Sequence, residues 1–224
     1  MSARERILAR IGKALSNGTA AEIDAYLAAH PRGPAPPLLD NLVTHFKERA
    51  LQLSSDVIEV TDSTEIPVRL AHYLAERGLP SRGVCWPALG NLAWDEANLE
   101  IAVRPANSQD LVGITGTFCA IAETGTLMTL SGPETPPSNS LLPETHVAIL
   151  GTRRIVASME DAWDLLRSEY KVPPRAVNFI SGPSRTADIE QTVTLGAHGP
   201  YRVLVILVPG GEDATQNPAI RNDN

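Results

Sequence analysis

The chain reads as an α/β protein: a mostly parallel sheet flanked by helices, with an N-terminal helical arm. Three observations predict this. Strand-like and helix-like segments alternate from residue 39 onward, the pattern of a parallel sheet covered on both faces. The last strand, Val203-Leu204-Val205-Ile206-Leu207-Val208, is apolar at every position, as in a parallel strand buried on both sides. Residues 31–37, Pro-Arg-Gly-Pro-Ala-Pro-Pro, suit neither helix nor central strand and read as a stiff linker. The predicted organisation is an arm and linker over residues 1–37, an α/β domain over 38–208 and a flexible polar tail over 209–224.

In chain order, residues 3–15 predict a helix with Ile7, Leu8, Ile11 and Leu15 on one face and Arg4, Arg6, Arg10 and Lys13 on the other. A basic amphipathic helix suits a membrane surface or a partner helix. Packing on its own domain or on a second copy is the preferred reading, and the nearby acids Glu5, Glu22 and Asp24 argue against a transit peptide. Residues 39–53 predict a helix and Asp56 to Val60 a strand. Thr61 to Thr64 offer caps for a helix to about Arg77, which Gly78 ends. Gly83 to Trp86 is a strand closed by Pro87, and Leu99 to Val103 another. Thr145 to Leu150 and Ala176 to Ile180 read as strands, residues 158–170 and 186–195 as helices, and Tyr201 to Val208 as the final strand. The polar, proline-rich stretch from Gly132 to Asn139 reads as a rigid surface loop.

Composition narrows the function. A chain of 224 residues can bury roughly 70% of its unfolded surface and folds without disulfides or metals. A net charge of −7 argues against a general phosphate-backbone binder, and 4% aromatic residues against stacking platforms for nucleic acid. Two cysteines cannot hold an iron–sulfur cluster or a four-cysteine zinc site within one chain. Cys119 lies in the run Phe118-Cys119-Ala120-Ile121 and reads as a buried, inert thiol, with Cys85 beside Trp86 in a similar setting. The N-terminus lacks the apolar core of a signal peptide, and no apolar run approaches the ~20 residues that a membrane span requires. A cytoplasmic location is the expectation. His30, His45, His72 and His146 are scattered without metal-ligand spacing, and dinucleotide, P-loop and nucleophile-elbow motifs are absent.

Two constellations carry the candidate chemistry. The first is Ala122-Glu123-Thr124-Gly125-Thr126 between two β-prone runs, a hairpin in which Gly125 supplies φ > 0. Partial burial would raise the pKa of Glu123 and suit it to act as acid, base or nucleophile, with Thr117, Thr124 and Thr126 around it; otherwise it is a solvated turn glutamate. The second runs from Ser181 to Glu190 and on through Gly196-Ala197-His198-Gly199-Pro200. With a helix starting near Thr186, Ser184 or Thr186 would cap it, and the free amides together with Arg185 would hold a phosphate or carboxylate. Asp188 would compete with that anion, and the alternative is that Asp188 and Ser184 merely stabilise the helix start. A right-handed strand–helix–strand unit would put loop 181–185 at the ligand-binding edge and loop 196–200 at the far edge, roughly 15 Å away. His198 and Gly199 would then be structural or interface residues.

Taken together, Gly113-Ile114-Thr115-Gly116, Glu123-Thr124-Gly125-Thr126, Leu142-Pro143 with His146, and the Ser181–Glu190 and Gly196–Pro200 segments resemble the LUD-domain family in its lactate-utilization branch. The resemblance covers roughly residues 40–208. It implies a fold similar to the ribose-phosphate isomerase, glucosamine-phosphate deaminase and CoA-transferase group. It also implies a part in the bacterial oxidation of L-lactate to pyruvate alongside iron–sulfur partner proteins, with no cofactor in this chain. Many members carry an arginine just before the Leu-Leu-Pro segment, where this chain has Asn139-Ser140. The alternatives are a free-standing CoA-transferase-like or sugar-phosphate-binding enzyme using Glu123, and a non-catalytic assembly or ligand-binding subunit. The residues assigned to ligand binding are Thr124, Gly125, Thr126, Ser184, Arg185, Thr186 and Asp188, and a homo-oligomer is compatible with the sequence.

Overall fold

Two capped helices open the chain in the computed structural model, which describes residues 2–14, 19–29, 40–186, 194–196 and 198–210. They are α1 (Ala3–Ala14) and α2 (Ala20–Ala29). Each begins with a reciprocal capping box, a hydroxyl residue followed three positions later by glutamate. Ser2 N donates to Glu5 Oε2 at 2.7 Å and Glu5 N to Ser2 Oγ at 3.2 Å. Thr19 and Glu22 repeat the arrangement at 2.7 and 3.3 Å. The predicted end of the first helix at Leu15, the linker at 31–37 and the tail beyond Gly210 lie outside the described residues. The chain divides into two compact units, Met1–Pro37 and Leu38–Asn224.

The second unit starts with α3 (Leu42–Gln52), whose first turn is held by Asn41 Oδ1 accepting from Thr44 N at 3.0 Å. There follow β1 (Asp56–Glu59), α4 (Ile66–Glu76), β2 (Arg82–Cys85), β3 (Glu100–Val103) and β4 (Val112–Gly116). The stop after α4 is Gly78, at φ +61°. Then come β5 (Cys119–Ile121), β6 (Thr126–Leu130), the single turn α5 (Ser138–Leu141), β7 (Thr145–Gly151) and β8 (Ile155–Val156). The chain continues through α6 (Met159–Glu169), β9 (Val177–Ile180), β10 (Arg185–Thr186), β11 (Thr194–Leu195) and β12 (Arg202–Val208). A Ser158–Asp161 capping box starts α6.

Six strands form one sheet in the order β1-β12-β7-β4-β2-β3, and every pairing is parallel. Its centre is β7, buried at all seven positions, beside the nearly all-apolar β12. On one face, Val112, Ile114, Val147, Ile149, Leu204 and Ile206 pack with Leu70, Tyr73 and Leu74 of α4 and with Trp94. On the other, Ala148, Leu150, Val203, Val205 and Leu207 pack with Phe46 and Ala50 of α3 and with a second sheet through Ala120, Leu127 and Ile180. That second sheet has the order β8-β5-β6-β9, and α6 covers its far side through Ala162 and Leu166. Burying one such leucine or isoleucine contributes about 1.5–3 kcal/mol, against about 0–1 kcal/mol for a half-exposed pair such as Arg77–Asp56. The apolar faces, not the ion pairs, hold the sheet.

The fold departs from the sequence expectation at two places. The strand expected over 176–180 forms as β9, but it runs antiparallel to β6 in the second sheet rather than joining the parallel one. And no helix begins at Thr186: Arg185 and Thr186 pair antiparallel with Leu195 and Thr194, while residues 187–193 lie outside the described residues. β-Branched threonine on both strands of the Thr186–Thr194 pair favours the ladder. The loops at 181–185 and 196–200 are therefore not held at opposite edges of the sheet. They touch instead: Ser184 N donates to Pro200 O and Gly196 N to Ser184 O, both at 2.9 Å.

Candidate functional site

Most of the residues singled out in the sequence converge on the carboxyl end of α3. The β5–β6 hairpin turns through Glu123, Thr124 and Gly125, and presses against the helix there. Gly125 has φ +65°, and a Cβ on it would stand 2.6 Å from Ala50 N, so neither the turn nor the approach tolerates a side chain. From the other direction Gly182, at φ +78°, comes so close that a Cβ would stand 2.3 Å from Leu53 O. Between these two contacts runs a chain of hydroxyls. Thr124 Oγ1 donates to Thr126 Oγ1 at 2.8 Å, and Thr126 Oγ1 meets Ser181 Oγ at 2.7 Å. Thr126 is buried and Thr124 exposed.

Beside the hydroxyls lies a cleft of about 370 Å³ lined by Arg49, Gln52, Leu53, Glu123 and Thr124. Glu123 is half-buried, with its amide bonded to Ala157 O at 3.1 Å. Arg49 Nη1 donates to Gln52 Oε1 at 3.1 Å. Arg185 Nη2 donates to Leu53 O at 3.2 Å and to the Ser54 hydroxyl. The guanidinium thus answers an unpaired carbonyl at the negative end of the α3 dipole. This corrects the expectation of an anion cradle at a helix start. Arg185 sits in a strand, and the helix end it faces offers carbonyls rather than amides. Of the two arginines, Arg49 lines the cleft and Arg185 binds the end of α3 beside it.

Of the remaining candidates, Thr186 lies in β10, and Asp188 falls outside the described residues. Ser184 is half-buried, and a Cβ on Gly199 would stand 3.2 Å from Ser184 Cβ, so Gly199 permits the contact of the two loops. His198 is exposed. Ser54 and Ser55 lead directly into β1, and Pro200 and Tyr201 into β12. The whole cluster therefore stands at the amino-terminal edge of the parallel sheet.

A second polar group lies inside the sheet, where apolar runs conceal it. His146 on β7 is fully buried, with Nε2 2.8 Å from Thr115 Oγ1 and Nδ1 without a partner. Desolvation pushes its pKa down to about 4. On the neighbouring strand, a Cβ at Gly113 would stand 2.0 Å from Asn139 O. The 132–139 stretch is thus no simple surface loop. Asn139 and Ser140 are fully buried, and Asn139 donates through Nδ2 to Arg104 O at 3.0 Å and accepts from Ala106 N at 2.9 Å. The available signal was Gly113 itself, a glycine within an apolar strand, which marks close backbone approach.

At the opposite, carboxyl-terminal edge the winding of the sheet reverses between β2 and β4, the position where doubly wound sheets bind ligands. Trp86 and Thr117 there are buried, and both bond internally. Trp86 Nε1 donates to Pro136 O at 3.2 Å and Thr117 Oγ1 to Ile149 O at 2.6 Å. Among the described residues no group of three or more His, Cys, Asp or Glu side chains could hold a metal ion, and no helix is long and apolar enough to cross a membrane.

These features define an α/β protein with a parallel six-stranded sheet and a second small sheet docked on one face. Its sequence matches the family described as LUD domain over residues 91–208, and the chain belongs to that family. Lactate utilization protein C of Bacillus subtilis (strain 168) is 33% identical over 191 residues, 75% of this chain and 79% of the relative. The protein of the same name from Shouchella clausii is 32% identical over 186 residues, 75% of this chain and 80% of the relative. A DUF162 family protein from Deinococcus radiodurans, solved by crystallography, superposes with a TM-score of 0.58 at 24% identity, covering 77% of this chain and 99% of its own. That likeness concerns the fold.

Proposed function

We propose that this chain is a component of a bacterial L-lactate utilization system and takes part in oxidising L-lactate to pyruvate together with iron–sulfur partner proteins. The carrying observation is the similarity to two relatives named lactate utilization protein C over three-quarters of this chain. The chemistry fits a division of labour. Oxidising the hydroxyl-bearing carbon of lactate releases two electrons and two protons, and the electrons need a carrier. Cys85 and Cys119 are both buried, and burial pushes their thiols up to about 11 and about 12. The chain has two cysteines where a ferredoxin-type cluster takes four, which supports placing the clusters in the partners. Deleting the gene should abolish growth on L-lactate and leave growth on pyruvate intact; normal growth on lactate would overturn the proposal.

One observation favours a second reading, an assembly or ligand-binding subunit without catalysis of its own. The polar groups of Thr124, Thr126, Ser181 and Arg185 bond to one another or to the end of α3. Complementing the deletion strain with Glu123→Gln and Arg185→Ala separates the two readings. Full growth with both variants supports assembly, and loss of growth with a folded Glu123→Gln chain supports chemistry at the cleft. A mass adduct on Glu123 after incubation with acyl-CoA would point instead to a CoA-transferase-like enzyme.

A further inference from the structure

We propose that two copies of this chain join through β3, each β3 pairing antiparallel with the other about a two-fold axis at Ala102, so that one sheet continues into the next. β3 ends the six-stranded sheet and, among the described residues, pairs with β2 alone. An edge strand offers unpaired N–H and C=O groups to a further strand, and proteins commonly blunt such an edge with charge. At the other edge, β1, both carboxylates are satisfied within the chain. Asp56 accepts from Tyr73 Oη at 2.7 Å and pairs with Arg77 at 3.0 Å, and Glu59 pairs with Lys47. On β3, Glu100 is exposed and has no ion pair among the described residues. Ala102 is exposed as well, and Val103 is 49% exposed. A cleft of about 420 Å³ lies beside the strand, lined in part by Arg82, Glu100, Ala102, Arg104 and Asp110.

Charge order along the edge selects a second copy as the occupant. In the run Glu100-Ile101-Ala102-Val103-Arg104, a two-fold pairing centred on Ala102 sets Glu100 opposite the partner's Arg104 and Ile101 opposite the partner's Val103. Opposite charges and β-branched pairs directly across two strands are stabilising. Slipping one or two residues in one direction sets Glu100 opposite the partner's Val103 or the partner's Ala102. Slipping in the other direction sets Arg104 opposite the partner's Ile101 or the partner's Ala102, so one register is specified. Arg82 is the β2 neighbour of Glu100, and Arg104 holds Asp110 through two bonds at 2.7 and 2.8 Å. Pairing therefore completes a row of alternating sign, from Arg82 through Glu100 to the partner's Arg104 and the partner's Asp110. A strand of unrelated sequence would meet the backbone but not this charge order.

Sedimentation velocity on the full chain should give a species of twice the chain's mass. Ala102→Lys would set two ammonium groups against each other at the axis. It should halve that mass without shifting thermal unfolding, because Ala102 is exposed. Glu100→Arg would set like charges at both ends of the pairing and should weaken the dimer about tenfold. A cysteine substitution reads the register itself. Opposed residues in an antiparallel pair stand roughly 4.5–5.5 Å apart between Cα atoms, within the roughly 4.4–6.8 Å that a disulfide spans. Ala102→Cys should therefore give a covalent dimer on mild oxidation. The wild type, whose Cys85 and Cys119 are both buried, should give none. A monomeric wild type, a dimer that survives Ala102→Lys, a dimer indifferent to Glu100→Arg, or an Ala102→Cys chain that fails to cross-link overturns the proposal.

Discussion

Two polar clusters lie on the same half of the molecule and obey different rules. At the amino-terminal edge of the sheet, Glu123, Thr124, Ser181 and Arg185 gather around the end of α3, where water reaches them and each can exchange a protein partner for solvent. In the sheet and in α5 packed against it, His146, Thr115 and Asn139 are fully buried, where every unmet hydrogen bond costs about 1–3 kcal/mol. The first cluster is rich in chemistry and poor in constraint; the second is the reverse. Residue types in a sequence advertise the first kind of site, whereas backbone spacing decides the second.

The comparison breaks most readily at Gly113. If the interior is as tightly constrained as its geometry implies, Gly113→Ala must displace the Asn139 backbone, from which the new methyl would stand 2.0 Å, and should destabilise the fold by about 3 kcal/mol. Urea denaturation measures this, and a loss below about 1 kcal/mol would show that the α5 segment yields easily.

His146 tests the same interior through pH. Its folded pKa, at about 4, lies below the ordinary histidine value of about 6.5, so the unfolded chain takes up the proton first as pH falls. The contribution of neutral His146 is therefore fully present above about pH 6.5 and lost as pH drops toward 4. Over that window it amounts to about 3 kcal/mol at 1.36 kcal/mol per pKa unit. Between pH 7 and pH 5 the wild type should lose about 2 kcal/mol more than His146→Gln. Parallel losses in the two proteins would place water beside the ring.

The same contrast explains what the sequence revealed. Strands with continuous apolar runs, such as Val203 to Val208, were legible because burial on both faces leaves no other composition. The end of α4 was legible because Gly78 acts locally. The β10–β11 ladder was not: Thr186 reads equally as a helix cap or a strand residue, and only pairing with Thr194 decides between them. The partner of Arg185 was hidden, because the Leu53 carbonyl is a backbone group 132 positions away. His146 carries part of the family resemblance, but its burial is not legible, since nothing local distinguishes a buried histidine from an exposed one.

The smallest expected effect sharpens the comparison at its exposed end. Arg185 binds Leu53 O and Ser54 Oγ from an exposed position, where solvent can replace either bond. Arg185→Ala should therefore cost less than about 1 kcal/mol by urea denaturation, well below the interior substitutions. Arg185→Lys keeps the charge but loses the planar fork that can face a carbonyl and a hydroxyl together, so it should recover only part of that difference. If Arg185→Ala cost as much as Gly113→Ala, the edge cluster would be as constrained as the interior. If it were neutral for stability yet abolished growth on lactate in the complemented deletion strain, the guanidinium would serve a ligand or partner rather than the end of α3.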